Sequence, residues 1–160
     1  PYVRGMTGIN AADELWDIGF RSVARSMKKL DDAGVIVNAG SHGQIHGLDQ
    51  HWEMWLLAQG GMSNLHVLRT STLNGAKTLA LDGQIGSLES GKLADLIVLD
   101  ENPLENIRNT NTVRYTMVNG RLYDALSMDE IGNRPRPRSK FYWELENYPG
   151  INWNSVWGEH

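Results

Sequence analysis

The chain contains no cysteine among its 160 residues. That excludes a disulfide framework and a zinc site built on thiolates. The compartment stays open, because a cysteine-free chain suits oxidising and reducing surroundings alike; an exported or periplasmic parent fits as well as any other. No run of about 18 apolar residues occurs, so the sequence offers nothing to span a bilayer. Positive charge is also scarce. The formal net charge is −4, whereas a dedicated nucleic-acid binder is usually basic. The opening Pro1-Tyr2-Val3-Arg4-Gly5 has neither a starting Met nor the apolar stretch of a signal peptide. A processed product or an excised piece is therefore expected.

What is present is a globular composition, with 41% hydrophobic residues. The length suits one ordinary domain or two small ones, and a chain of about 150 residues buries roughly 70% of its unfolded surface. A complete eight-stranded α/β barrel needs about 250 residues and does not fit.

The organisation changes midway. Leu15, Ile18, Val23, Met27 and Leu30 recur near helical spacing and predict a helix over residues 11–33, with Gly19 as the candidate point of division into two. Gly34 stands where a left-handed cap would end it. Val35-Ile36-Val37 then reads as a buried parallel strand running to Ala39. A loop follows at its C-terminal end, Gly40-Ser41-His42-Gly43-Gln44-Ile45-His46-Gly47. Helices are expected over residues 50–59 and, after the N-cap Ser63, over 64–73. Beyond about residue 82 the pattern turns to strands. Residues 93–99 are β-rich, 113–118 alternate at period 2, and Asn119-Gly120 is the two-residue hairpin signal before Arg121-Leu122-Tyr123. The tail holds Tyr142, Trp143, Tyr148, Trp153 and Trp157 among Pro135, Pro137 and Pro149. It has no period and reads as an arm packing through its aromatics. Its Arg134, Arg136, Arg138 and Lys140 are interleaved with prolines, as in a solvated extended arm rather than a nucleic-acid grip.

Thr72-Leu73-Asn74-Gly75-Ala76, then Leu81, then the string GSLESGKLADLIVLDENPL over residues 86–104, and the turn Val118-Asn119-Gly120 occur in order. Together they resemble the C-terminal portion of the amidohydrolase superfamily, nearest the imidazolonepropionase- and prolidase-like branch, of the kind that follows a β-propeller. The resemblance implies an α/β fold: the C-terminal βα units of a metal-binding (β/α)8 barrel, then a small antiparallel unit forming half of a composite β-sandwich, then the aromatic arm. The corresponding divisions are residues 1–82, 83–126 and 127–160. In the GKLADL frame, Gly91 is expected to make a tight turn, Lys92 to stay solvated, and Leu96 and Val98 to fill the sandwich. That frame is structural and carries no chemistry.

Barrel enzymes place their reacting groups at the C-terminal ends of strands. Here that end is Gly40-Ser41-His42. The resemblance implies an Asp at the position of His42, which would take a proton from metal-bound water and hand it to the leaving amine. An imidazole can instead ligate a divalent metal or carry protons near neutral pH. His42 is therefore the candidate catalytic and metal-ligating residue, against a plain structural reading. Ser41 and His46 are the candidate substrate contacts. His42 and His46 are four apart, but Gly43 and Gly47 oppose a helix there, so the spacing loses force. The plainer reading of His46 and His51 is a hydrogen-bonded loop residue and a helix-start residue. Glu53 either orients His51 or is an exposed helix carboxylate, and Asp49 belongs to the helix start. Trp52, Trp55 and Leu56 read as core, and His66 as a surface or packing residue.

No His-x-His occurs, and too few residues precede Val35 to supply the remaining strands. A metal-assisted hydrolase needs several ligands around an open position. The expectation is a fragment of a metal-dependent amidohydrolase that cleaves C–N bonds of a small molecule with metal-activated water, inactive in isolation. The alternative is a non-catalytic binding or assembly module that keeps only the fold. A divalent metal, zinc by its chemistry, belongs to the parent, and none is expected to bind tightly to this chain alone. The expected partner is the rest of the barrel or a second copy, in an oligomer or a swapped assembly; nucleic acid and membrane are not expected partners.

Overall fold

The computed structural model describes residues 14–42 and 45–145, with side chains described from residue 19. Helix α1 spans Glu14–Asp32 and runs through Gly19 without a break. One interior glycine costs only about 1 kcal/mol against alanine, which a helix of five turns absorbs. The chain leaves α1 through Gly34 at φ +81°, as the cap signal predicts. Helix α2 spans Leu48–Gln59, with Asp49 in its first turn. Helix α3, Asn64–Thr70, starts where Ser63 Oγ accepts the His66 N–H.

The single helix expected over 64–73 is two. The chain bends at Ser71 and Thr72, and α4 occupies Leu73–Thr78. The cause is local: Thr70 and Thr72 hydroxyls donate to the carbonyls of Val67 and Leu68, which competes with the helical ladder.

The buried face of α1 also differs from the apolar stripe. Val23 and Leu30 are exposed, while Ala24 is buried and Met27 packs on the core. The crossing with α2 decides this. A Cβ at Gly60 would lie 2.3 Å from the carbonyl carbon of Ala24, so the two backbones meet where one residue has no side chain and the other only a methyl group. Around that contact Val37, Met54, Leu57, Met62, Val67 and Ile107 form the core, with Ala39, Trp55, Ala58 and Leu68 packed against it.

Residues 35–39 run extended, but no strand pairs with them among the described residues. From Ile36 to Ala39 exposure alternates, but Val35 breaks the pattern, so the run is not the buried strand expected. Val37 is 6% exposed and Ala39 half-buried, while Val35, Ile36 and Asn38 face outward. Their fixed points come from α3 and α4. The Ala39 N–H donates to Thr70 O at 3.0 Å, Asn74 Nδ2 donates to Val37 O at 2.9 Å, and Asn38 Nδ2 donates to Thr78 Oγ1 at 2.8 Å.

The one sheet among the described residues is an antiparallel meander, β1 (Leu96–Leu99), β2 (Val113–Val118) and β3 (Arg121–Asp124), in spatial order β1-β2-β3. Leu96 faces Met117 and Val118 faces Arg121, with an irregularity between Val98 and Leu99. Asn119 and Gly120 both take positive φ, +49° and +76°. A two-residue hairpin turn matched to the strand twist requires this. Residues 93–95, expected as strand, instead close turns: Leu93 N–H reaches Gln84 O, and the Asp95 carboxylate accepts the Asn119 N–H at 2.6 Å. Gly91, at φ +94°, makes its tight turn as expected. Lys92 does not stay solvated. Its side chain is only 11% exposed and its ammonium donates to Ser87 Oγ at 2.5 Å and Glu89 Oε1 at 3.1 Å.

Past β3, Phe141 and Trp143 stack with ring centroids 4.4 Å apart, and Tyr142–Glu144 form one 3-10 turn. Tyr148, Pro149, Trp153 and Trp157 lie outside the described residues. Among the described residues no helix is long and apolar enough to cross a membrane.

Candidate functional site

The extended segment ends at Gly40, Ser41 and His42, and these three form one wall of an open cleft of about 610 Å³. Trp52, Glu53, Trp55 and Leu56 of α2 line it, as do Phe20 of α1 and Arg108. The helical period explains the placement. Trp52, Trp55 and Leu56 share one face of α2, while Met54 and Leu57 turn into the core. Trp52 is thus a half-exposed lining residue, not the core residue its spacing suggested.

Glu53 ties the wall to the helix. Its Oε2 accepts the Gly40 N–H at 3.1 Å. It does not orient His51, which uses Nδ1 against Thr110 Oγ1 at 3.1 Å. Burial holds the His51 imidazole below its ordinary range. Ser41 Oγ donates to Gln50 Oε1 at 3.4 Å, a long contact, and Gln50 Nε2 donates to Ser71 Oγ at 2.9 Å. The corner 40–42 is therefore braced from α2 and from the start of the bend after α3.

The far wall comes from the connection between β1 and β2. Ile107–Asn111 form a 3-10 helix whose start is set by Asn106, its Oδ1 accepting the Arg108 N–H at 3.1 Å. That turn presents Ile107 O and Thr110 Oγ1 to the indole of Trp55, which donates to both at 3.0 Å. The Arg108 guanidinium lies 4.8 Å from the Trp55 ring centroid, a cation–π stack. No local pattern in the sequence announces Arg108, Thr110 or Gln50 as lining or bracing residues. Arg108 and Thr110 acquire their places through α2, more than fifty positions away, and Gln50 through Ser41 and Ser71 together.

His42 is exposed at the cleft edge beside Ser41. His46 is exposed in the turn before α2 and does not line the cleft. His66 is exposed and pairs with Asp31 Oδ2 through Nδ1 at 2.6 Å. Among the described residues no three His, Cys, Asp or Glu lie together in a way that could hold a metal ion. Glu53, the carboxylate nearest the corner in hydrogen-bond terms, is committed to a backbone N–H. The described residues thus do not furnish a metal's ligand set; His42 offers one imidazole at most. The cleft thus combines aromatic walls with an exposed imidazole at its rim and a guanidinium opposite, the mixed apolar and polar lining that small-molecule sites share.

The amidohydrolase family profile matches residues 9–123. A 5-methylthioadenosine/S-adenosylhomocysteine deaminase from Syntrophobacter fumaroxidans is 34% identical over 68% of this chain and 31% of its own length. An imidazolonepropionase from Picrophilus torridus is 38% identical over 34% of this chain and 15% of its own. In structure, the chain resembles a Xaa-Pro dipeptidase with bound methionine in the active site, with a TM-score of 0.59 and 31% identity over 64% of this chain and 26% of that one. The chain thus spans less than a third of the length of each of these proteins. The ordered motif over residues 72–104, the segment that brings His42 to a cleft, and the profile match agree: the chain belongs to the amidohydrolase family.

Proposed function

We propose that the chain is the C-terminal part of a metal-dependent amidohydrolase that hydrolyses a C–N bond in a small cyclic or peptide-like amide, and that alone it is inactive. One observation carries this reading. In a chain of this family, an extended segment anchored at Val37 delivers Gly40-Ser41-His42 to the mouth of a cleft beside the helix that follows it. A closing barrel strand delivers its reacting residues in that way. The activities named for the relatives, a deaminase and a dipeptidase, both break a bond from carbon to nitrogen.

In this reading residues 1–82 are the last βα units of the barrel, 83–126 this chain's share of a composite sandwich, and 127–160 an arm. His42 stands at the reaction centre as a single imidazole ligand or a proton carrier. Ser41 and His46 contact the substrate or steady His42. The divalent ion, zinc by its chemistry, is a property of the whole protein, because the residues described here do not form its ligand set. The partner of the isolated chain is the remainder of the barrel or a second copy.

Metal analysis tests this directly. The purified chain should hold far less than one equivalent of zinc after dialysis. Co-expression with the polypeptide encoded upstream of Pro1 should restore metal and hydrolysis. A full equivalent of tightly held zinc in the chain alone would falsify the incomplete-site reading. The absence of a three-ligand cluster among the described residues also favours a second reading, a non-catalytic binding or assembly module. The upstream reading frame separates the two. A His-x-His followed by further βα repeats belongs to the hydrolase, and an unrelated or absent frame to the module.

A further inference from the structure

Residues 124–145 lie beyond the family match and build a structure of their own against the sheet. The chain reverses after β3 at Asp124, whose Oδ1 accepts the N–H groups of Leu126 and Ser127 at 3.1 and 2.8 Å. Met128 closes the turn at φ +64°. The chain then returns along the outer edge of β3. The Asp124 N–H donates to Asp129 O and the Ile131 N–H to Leu122 O, both at 2.9 Å, on either side of the Tyr123–Glu130 bridge. A second reversal sets Arg136 opposite Glu130, with both of their backbone bonds made.

Side chains lock the same path. Glu130 is 4% exposed, and its carboxylate takes two bonds from the Arg121 guanidinium, at 2.9 and 2.5 Å, and one contact from Arg136 Nε at 3.0 Å. These arginines hold the Glu130 carboxyl below the usual carboxylate range. Farther out, the Arg138 N–H donates to Asp129 Oδ1, and the Arg138 guanidinium grips Glu144 with two bonds while lying 4.4 Å over the Phe141 ring. A buried carboxylate is costly unless it is paired and hydrogen-bonded. Arg121 belongs to β3 and Arg136 to the returning chain, so Glu130 is satisfied only while the two remain together.

An edge strand with unpaired N–H and C=O groups is a template for further strands. We infer that residues 127–145 are a strap that seals the outer edge of β3 against strand addition, with the Arg121–Glu130–Arg136 cluster as its lock. The strap is a feature of this chain outside the family frame, and it stands independently of the hydrolase reading.

Hydrogen exchange on the full chain, read by mass spectrometry together with light scattering, tests it. Glu130→Gln should raise exchange of the Asp124 and Ile131 amides, the two donors between strap and edge, at least about tenfold. The segment 54–67 of the helical core should keep its rates, and species larger than those of the parent chain should appear with rising concentration. Glu144→Gln loosens only the outer clasp, leaves the buried carboxylate intact, and should give the same changes in smaller measure. If Glu130→Gln does not fold, the Glu144→Gln result decides. Unchanged exchange at Asp124 and Ile131 in the folded variants would overturn the inference. So would faster exchange spread equally over the core, since that reports a general loss of stability rather than an opened edge.

Discussion

Gly60 marks the tightest point of the helical layer. A methyl group there would meet backbone atoms of Ala24 at 2.3 and 2.5 Å, and backbone cannot swing aside as a side chain can. Gly60→Ala should therefore cost about 1–3 kcal/mol, the range for overpacking a tight contact, as a lower urea midpoint at unchanged slope. His51 gives a different signal. Burial lowers its folded pKa below the ordinary 6.5, so the folded state favours the neutral ring. A group lowered in this way stabilises fully above its unfolded value, and that stabilisation is lost as pH falls through the folded one. Stability should thus decline on acidification below about pH 6.5, and His51→Gln should flatten that part of the curve in pH-dependent urea melts. A slope identical to the parent's would place the titrating group elsewhere.

At the level of elements, the meander was legible because its information is local. Alternation over 113–118 and an Asn-Gly turn specify strand, turn and strand without reference to anything distant. Helices α1 and α2 were legible for the same reason, but the face that α1 buries was not. Val23 and Leu30 are the larger apolar groups, yet Ala24 takes the interior because only a small residue fits against Gly60. Lys92 was misread because its burial depends on Ser87 and Glu89 folding back over it. Within the site, the corner 40–42 could be located from the order of elements, whereas Glu53 bracing Gly40 and Thr110 meeting His51 depend on tertiary placement. The segment 35–39 shows what such placement supplies. With no strand beside it among the described residues, it relies on side-chain clamps, and Asn74 holds its central carbonyl. Asn74→Ala should cost about 0.5–1.5 kcal/mol, the net worth of one hydrogen bond, and should speed exchange through residues 35–39. Unaltered stability and exchange would show that packing of Val37 alone fixes the segment.

At the scale of the molecule, the described residues leave much apolar surface uncovered. Val23, Val35, Ile36, Trp52 and Leu65 are all exposed beyond two-fifths of their surface on the helical half. Surface of this kind favours association. The isolated chain should run above monomer mass in size-exclusion chromatography with light scattering, and the excess should grow with concentration. A monomer across a wide concentration range would mean that these residues tolerate water. The two halves of the chain meet where Asn64 of α3 bonds Leu104 O and where Trp55 of α2 touches the turn between β1 and β2. An indole N–H only donates, and here it is shared between Ile107 O and the hydroxyl of Thr110, a residue 2% exposed. The same hydroxyl oxygen lies 3.1 Å from His51 Nδ1. A hydroxyl can both give and take a proton, so this contact suits either tautomer of the ring. One oxygen thus joins two rings of α2 to the turn between β1 and β2, and deleting it would loosen both at once.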